Sequence, residues 1–269
     1  MNPYVPKPGI VEGIRWETER IRTFVIRFSG WTIDFKPGQF TQVLVPGVGE
    51  APFCIASRPS VKDRVKITVQ KRGNVTQALH NLKNGDAVGL RGPLGTGFPI
   101  EEFKGRELVI VGTGIGIAAL RSLIYLAVEQ PNYFSHVTVV YGTRYPQDLI
   151  YAYEYDEWRT AVDLIITLSR APPEWRGHRG RVTEHLKKMS FSQDTVAAVC
   201  GSGVVMRSVS KLLIEKGVKP ENIYVSLERH MKCGIGKCAR CMISPGLYVC
   251  KNGPVFNLKQ ISLEYIARW

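Results

Sequence analysis

The sequence predicts a β half, then a doubly wound α/β half, then a short cysteine loop. Three observations carry this. Up to about residue 100, short runs rich in Val, Ile, Thr and Phe are broken by glycine and proline; from about residue 106, apolar strands alternate with helical segments; and four of the six cysteines fall in one eighteen-residue stretch near the C-terminus. With 269 residues, 44% of them hydrophobic, the chain can bury two ordinary cores and carry a small appendix. The expected boundaries are 1–102, 103–229 and 230–269.

In the first half the runs RTFVIRF, QFTQVLV, VKITVQK and AVGLRG read as strands of an antiparallel barrel. Turn signals at Lys36-Pro37-Gly38, Asn84-Gly85-Asp86 and Gly92-Pro93 separate them, and VTQALHNL is the clear helical stretch between them. In the second half, ELVIVGTGIGIAALRSLIYLAVEQ, HVTVVYGTR, VDLIITLSR, TVAAVCGSGVVMRSVSKLLIEKG and NIYVSLE alternate strand and helix. Nearly continuous β-branched runs such as LVIVG and VTVVYG suit parallel strands covered on both faces.

The loop CGIGKCARCMISPGLYVC supplies Cys233, Cys238, Cys241 and Cys250 with gaps of four, two and eight residues. Four thiolates on a glycine-rich loop can converge on two bridged irons, and this order of gaps is that of a plant-type [2Fe-2S] site. Structural zinc is the alternative, but zinc ribbons pair their cysteines as two two-residue knuckles, and only Cys238 to Cys241 forms one here. Clustered thiols read as metal ligands of a reducing compartment. No stretch of eighteen apolar residues occurs, and MNPYVPKPGI has neither the basic start nor the apolar run of a signal peptide. A cytoplasmic location without a membrane span is expected.

The formal charge of +13 invites a nucleic-acid reading. Lys and Arg are scattered, however, and no nucleic-acid-binding motif is present. A basic surface equally docks an acidic protein or steers phosphate-bearing cofactors. Lys232, Lys237, Arg240 and Lys251 interleave with the cysteines, which predicts a positive rim beside the cluster.

Several corners are candidate nucleotide sites. Gly112, Gly114 and Gly116 stand where a buried strand turns into a helix, where free N–H groups can hold a pyrophosphate; the same glycines also permit close packing, and Ile117 fills the usual third-glycine slot. VCGSGVVM repeats the arrangement at the end of a later strand, the edge of the sheet where ligands bind. There Cys200 is either an inert buried thiol or, with its flanking glycines, a contact for a planar ring. In KRGNVTQAL, Gly73, Asn74, Val75 and Thr76 open the helix; Thr76 is either part of a phosphate nest or an N-cap. The segment APFCIAS is an ordinary strand by composition.

Taken in order, APFCIAS, KRGNVT, GPLG, VGTGIG, CGSGVVM and the cysteine loop resemble the ferredoxin-NADP reductase superfamily along nearly the whole chain. The cysteine loop narrows the resemblance to electron-transfer subunits carrying FAD and a [2Fe-2S] cluster. NPYVPKP and CKNGPVF make it more similar to the gamma subunits of cytoplasmic hydrogenases or sulfhydrogenases than to the electron-transfer subunits of dihydroorotate dehydrogenase or anaerobic sulfite reductase. The resemblance implies an FAD-binding β-barrel over 1–102, an NAD(P)-binding α/β domain over 103–229 and a [2Fe-2S] segment over 230–269.

Carried onto this chain, the resemblance implies that Pro52, Phe53, Cys54 and Ile55 line the flavin and that Gly73, Val75 and Thr76 hold its pyrophosphate. Ala51 stands where the superfamily often has a phosphate-binding arginine, and Cys54 where a serine or threonine commonly bonds the flavin. Gly112, Thr113, Gly114 and Gly116 would take the second pyrophosphate, with the nicotinamide near Cys200, Gly201 and Met206. Thr143 and Arg144 would face the adenosine ribose; Arg144 is either a partner for a 2′-phosphate, favouring NADP over NAD, or a solvated residue.

The implied activity is that of an NAD(P)H-dependent oxidoreductase subunit. It would move electrons between NAD(P)H, FAD and the cluster, and on to or from the catalytic and iron-sulfur subunits of a multi-subunit enzyme. No catalytic acid, base or nucleophile is expected. The rival from another class is a zinc-stabilised redox-sensing scaffold.

Overall fold

A computed structural model of the chain describes residues 3–266. The chain forms two compact units. One comprises the residues up to Phe98 together with Glu228–Val255; the other comprises Pro99–Leu227 and the residues from Phe256 on.

The first unit is built on six strands: β1 (Lys7–Thr18), β2 (Ile21–Phe28), β3 (Phe40–Val45), β4 (Gly49–Cys54), β5 (Arg64–Gln70) and β6 (Ala87–Leu94). Their order is β4-β3-β6-β1-β2-β5, and every pairing is antiparallel. Just past β4, Ala56 N donates to Lys66 O of β5 at 2.8 Å, so the two outer strands meet and the sheet closes as a barrel. Phe24, Ile26, Val43, Val65, Ile67, Val69 and Leu90 fill the interior. Helix α1 (Asn74–Asn81) lies against this core through buried Leu79.

Strand β1 joins the four strand runs legible in the sequence. Glycines at 9 and 13 and charges at Glu12 and Arg15 blur its alternation. Tertiary pairing makes it a strand, because it hydrogen-bonds β2 on one side and β6 on the other.

The second unit carries β7 (Glu107–Thr113), β8 (His136–Thr143), β9 (Asp163–Leu168), β10 (His178–Arg179), β11 (Val196–Cys200) and β12 (Ile223–Ser226). Its helices are α2 (Ile100–Phe103), α3 (Ile117–Glu129), α4 (Tyr155–Trp158), α5 (Val182–Lys188) and α6 (Gly203–Glu215). The strands run parallel in the order β10-β9-β8-β7-β11-β12. The order reverses between β7 and β11, the doubly wound pattern expected from the sequence. Leu108–Val111 and Val196–Val199 are fully buried, which is why these strands read as unbroken apolar runs.

The cysteine segment contains the hairpin β13 (Met242–Ser244) and β14 (Leu247–Tyr248), then α7 (Val249–Asn252). After it come β15 (Val255–Asn257) and α8 (Leu263–Ile266). Among the described residues, no helix is long and apolar enough to cross a membrane.

Candidate functional site

In the barrel unit, Pro52, Phe53 and Cys54 end β4, half-buried, and Ile55 behind them is fully buried. Strand β3 faces them in register: Gln42 opposite Pro52, Thr41 opposite Phe53, Phe40 opposite Cys54. Gln42 is fully buried, and its Oε1 has no protein partner, leaving an acceptor beside the expected flavin strand for a bound group.

The turn into α1 follows β5. Gly73 is the N-cap residue and Thr76 sits three positions into the helix, so the structure corrects the N-cap reading of Thr76. The Thr76 hydroxyl accepts from Arg72 N and Gly73 N, both at 2.9 Å, and donates to Gly73 O. This bonding stiffens the corner and consumes those two donors. The N–H groups of the first helical turn, Asn74 to Thr76, have no acceptor within the helix and point to its N-terminal side. A Cβ placed on Gly73 would meet nothing within 4 Å, so the corner is open to a ligand.

In the α/β unit the three glycines after β7 separate by role. A Cβ at Gly112 would press on the Ile117 side chain at 2.7 Å, and one at Gly116 on Cys200 O at 2.7 Å. Those two allow close packing. Gly114 has φ +53 and open space around it, so its backbone is free for a phosphate. The corner after β11 abuts the same place: Cys200 pairs with Gly112 in register, and a Cβ on Gly201 would overlap Thr113 Oγ1. Cys200 is half-buried with its thiol toward Ser226 O at 3.5 Å, and Met206 is buried in the first turns of α6.

Thr143 ends β8 and Arg144 follows it. Arg170 N donates to Arg144 O at 3.0 Å, bringing a second arginine to the same edge, and its Nη1 donates to Tyr145 Oη at 3.1 Å. Sequence reasoning missed Arg170; LSR at the end of β9 was the available signal, legible only once β8 and β9 are known to be neighbours.

The four cysteines are free thiols on one loop of the barrel unit, Cys241 and Cys250 buried and Cys238 exposed. Cys241 and Cys250 have their sulfurs 3.2 Å apart, and the Cys238 side chain is near enough to Cys233 to help lower its thiol. Backbone amides aim at the sulfurs: Gly236 N at Cys250 (3.1 Å), Lys237 N and Cys238 N at Cys233 (3.3 and 3.4 Å), Cys250 N at Cys241 (3.4 Å). Positive φ values of 75° at Gly234 and 77° at Gly236 produce this curl. Burial opposes ionisation of Cys233, but the N–H groups of Ile235, Cys238 and Lys237 outweigh it and bring the thiol down to about 6. Burial and the neighbouring Cys241 push Cys250 up to about 12. Among the described residues no three His, Cys, Asp or Glu side chains converge on a single ion; the thiols stand as two pairs. Their chemistry and the amide donors fit a thiolate-held cluster.

Beside the loop the exposed surface is mixed. Tyr4, Val5 and Met242 expose apolar area, and Lys237 Nζ lies over the Tyr4 ring at 5.5 Å.

Known protein families match three stretches of the chain. Residues 12–98 match the family model of the oxidoreductase FAD-binding domain, residues 110–211 that of the oxidoreductase NAD-binding domain, and residues 228–262 that of the iron-sulfur cluster binding domain of dihydroorotate dehydrogenase B. The chain is 38% identical to sulfhydrogenase 1 subunit gamma of Pyrococcus furiosus over 95% of its length and 92% of that protein's. It is 34% identical to a probable dihydroorotate dehydrogenase B (NAD(+)) electron transfer subunit of Methanocella arvoryzae, over 94% and 90% of the two chains. Among solved structures, a chain of an NADH-dependent reduced ferredoxin-NADP oxidoreductase superposes with a TM-score of 0.78 at 25% identity, covering 97% of this chain and 93% of that one.

Proposed function

We infer, because the chain belongs to the oxidoreductase family that includes the sulfhydrogenase gamma subunits and the dihydroorotate dehydrogenase B electron transfer subunits, that it is the electron-transfer subunit of a multi-subunit oxidoreductase of hydrogenase type. It moves electrons between NAD(P)H, FAD and an iron-sulfur cluster, and exchanges them with a partner catalytic subunit. When bound, the flavin takes hydride from a nicotinamide and releases electrons singly to a cluster. The observation that carries the reading is that the cysteine loop folds into the same compact unit as the barrel that bears the flavin strand, as a short electron path requires.

The residues divide the work as the sequence suggests. Gly73, Val75 and Thr76 hold the FAD pyrophosphate, with the N–H groups of Asn74 to Thr76 turned toward it, and Pro52, Phe53, Cys54 and Ile55 shape the flavin site. The corner of Gly112, Thr113, Gly114 and Gly116 receives the nicotinamide dinucleotide, its phosphates at Gly114 where Gly112 and Gly116 keep strand and helix close, with Cys200, Gly201 and Met206 near its ring. Arg144 and Arg170, side by side on neighbouring strand ends, favour a 2′-phosphate and hence NADP over NAD. The cluster is of [2Fe-2S] type: the pairs Cys233/Cys238 and Cys241/Cys250 give each of two irons two thiolates, whereas zinc asks four on one ion. The three consecutive segments 1–102, 103–229 and 230–269 correspond to these three cofactors in chain order. The clustered free thiols support a cytoplasmic location. Tyr4, Met242, Lys237 and Arg240 form the partner's landing surface beside the exposed Cys238.

Anaerobic purification tests this. The expected product is brown, contains two irons and two sulfides per chain, bleaches with NADPH faster than with NADH, and comes from its native cell with hydrogenase-type subunits. Colourless protein holding zinc would overturn the electron-transfer reading; a companion dihydroorotate dehydrogenase catalytic subunit would overturn the hydrogenase assignment alone.

A further inference from the structure

The GPLG segment at the end of β6 has no part in the sites above, yet both ends of the cysteine loop rest on it. Between the pairs Phe40↔Leu94 and Gln42↔Arg91 the β3–β6 register slips by a residue, a bulge at Gly92-Pro93. Bulges re-aim side chains. Here the side chain is that of Arg91, which is 6% exposed. Its Nε and Nη2 grip Glu50 Oε2 and Oε1 at 3.0 and 2.5 Å, Nη1 donates to Pro3 O at 2.8 Å, and both terminal nitrogens donate to Cys233 O at 3.1 Å. All five N–H donors of a guanidinium are thereby engaged.

The neighbouring contacts repeat the theme. Gln42 Nε2 donates to Lys232 O at 3.1 Å, one residue before the first cysteine. Leu94 lies so near Gly234 that an added Cβ there would stand 2.8 Å from it. At the loop's far end, Thr96 N donates to Gly253 O at 2.6 Å and Thr96 Oγ1 to Asn252 O at 3.0 Å. Glu50 and Pro52 belong to β4, the strand expected to line the flavin, and Gln42 pairs with Pro52 directly.

We propose that Arg91 is a positioning residue, a guanidinium clamp that fixes the Cys233 ligand peptide against the flavin-lining strand pair β3–β4 and so sets the geometry and charge environment of the first iron. This rests on the reading that the chain binds flavin and a thiolate-held cluster. The clamp joins a cluster ligand's own carbonyl to a carboxylate on the flavin strand, so it touches both ends of the expected path. Lysine cannot reproduce it, because an ammonium has three donors on one atom where the clamp uses five in one plane.

The test compares wild type, Arg91→Met, Arg91→Lys and Glu50→Gln, purified anaerobically. The readouts are iron content, the electron paramagnetic resonance spectrum and midpoint potential of the reduced cluster, amide hydrogen exchange over residues 232–238, and stopped-flow reduction by NADPH. In Arg91→Met the flavin-reduction phase keeps its wild-type rate, while the cluster-reduction phase slows on the order of tenfold, the usual cost of removing a ligand's supporting partner. The resonance spectrum changes, the potential falls as a cation is lost beside a negative cluster, and exchange at 232–238 rises. Arg91→Lys restores the potential but not the spectrum or the exchange protection, and Glu50→Gln shifts the spectrum and exchange in the same direction by less.

A wild-type spectrum, potential and cluster-reduction rate in iron-replete Arg91→Met overturn the proposal; where that variant retains no iron, wild-type behaviour of Glu50→Gln overturns it. Wild type that itself shows no cluster signal defeats the underlying reading instead.

Discussion

The two units use glycine and polar groups in opposite ways. In the α/β unit, Gly112, Gly116 and Gly201 let backbones and side chains touch: Gly116 stands against the Cys200 peptide and Gly201 against Thr113. In the cysteine loop, Gly234 and Gly236 turn the chain through positive φ, and shape is then kept by amide-to-sulfur bonds and by the forks of Arg91 and Gln42. One region is held by close packing of backbone against its neighbours. The other is held by directional bonds around ligands that only a bound cluster completes. The first should therefore fail by losing stability, and the second by losing its cofactor while the barrel survives.

The largest test of that contrast is Cys250→Ser. A buried thiolate ligand is lost, so iron analysis should show most of the cluster gone while the flavin absorbance remains; coincident loss of flavin would erase the distinction. Next is the buried pair in the α/β unit. Arg121, 1% exposed, is held by Glu154 through two 2.7 Å bonds and stacks near Tyr125 at 4.3 Å. Glu154→Ala leaves that cation uncompensated, at about 3–5 kcal/mol, and calorimetry should show the melting temperature falling by roughly 10 °C with iron content unchanged.

The glycine corners sharpen the comparison further. Gly201→Val forces a clash with Thr113, costing about 1–3 kcal/mol of stability. Gly114→Ala meets no atom and costs about 1 kcal/mol through its positive φ, while its KM for NADPH rises because the added methyl occupies the open corner. A wild-type KM in Gly114→Ala would remove Gly114 from the role of ligand glycine.

The smallest effect is in pH. Burial holds His80 below its ordinary 6.5 against the opposing pull of the Val69 carbonyl. A depressed folded-state value means that protonation opposes folding: the stability is complete above pH 6.5 and declines as pH falls below it. Urea midpoints of His80→Gln should show a flatter acid limb than wild type; parallel limbs would remove His80 from the account.

Much of this was legible in the residues. LVIVG and VTVVYG announced β7 and β8, since strands covered on both faces need no polar alternation, and the gaps between the cysteines announced a cluster loop before any fold was known. Strand β1 was not legible, because Gly9, Glu12, Gly13 and Arg15 disguise it and its two neighbours decide its conformation. Arg91 was also invisible. In AVGLRGPLG it reads as an ordinary surface cation, and nothing local says that a carbonyl 142 residues away will lie under its guanidinium.

The sequence by itself determined most of the elements, their two periods and the inventory of thiols and glycines, because each depends on residue type and short-range spacing. Only the tertiary structure decided which glycines pack and which stay open, that Arg170 stands beside Arg144, and that the cysteine loop returns to the barrel. Those outcomes depend on contacts between segments far apart in the chain, where no local pattern records which side chain will find which backbone.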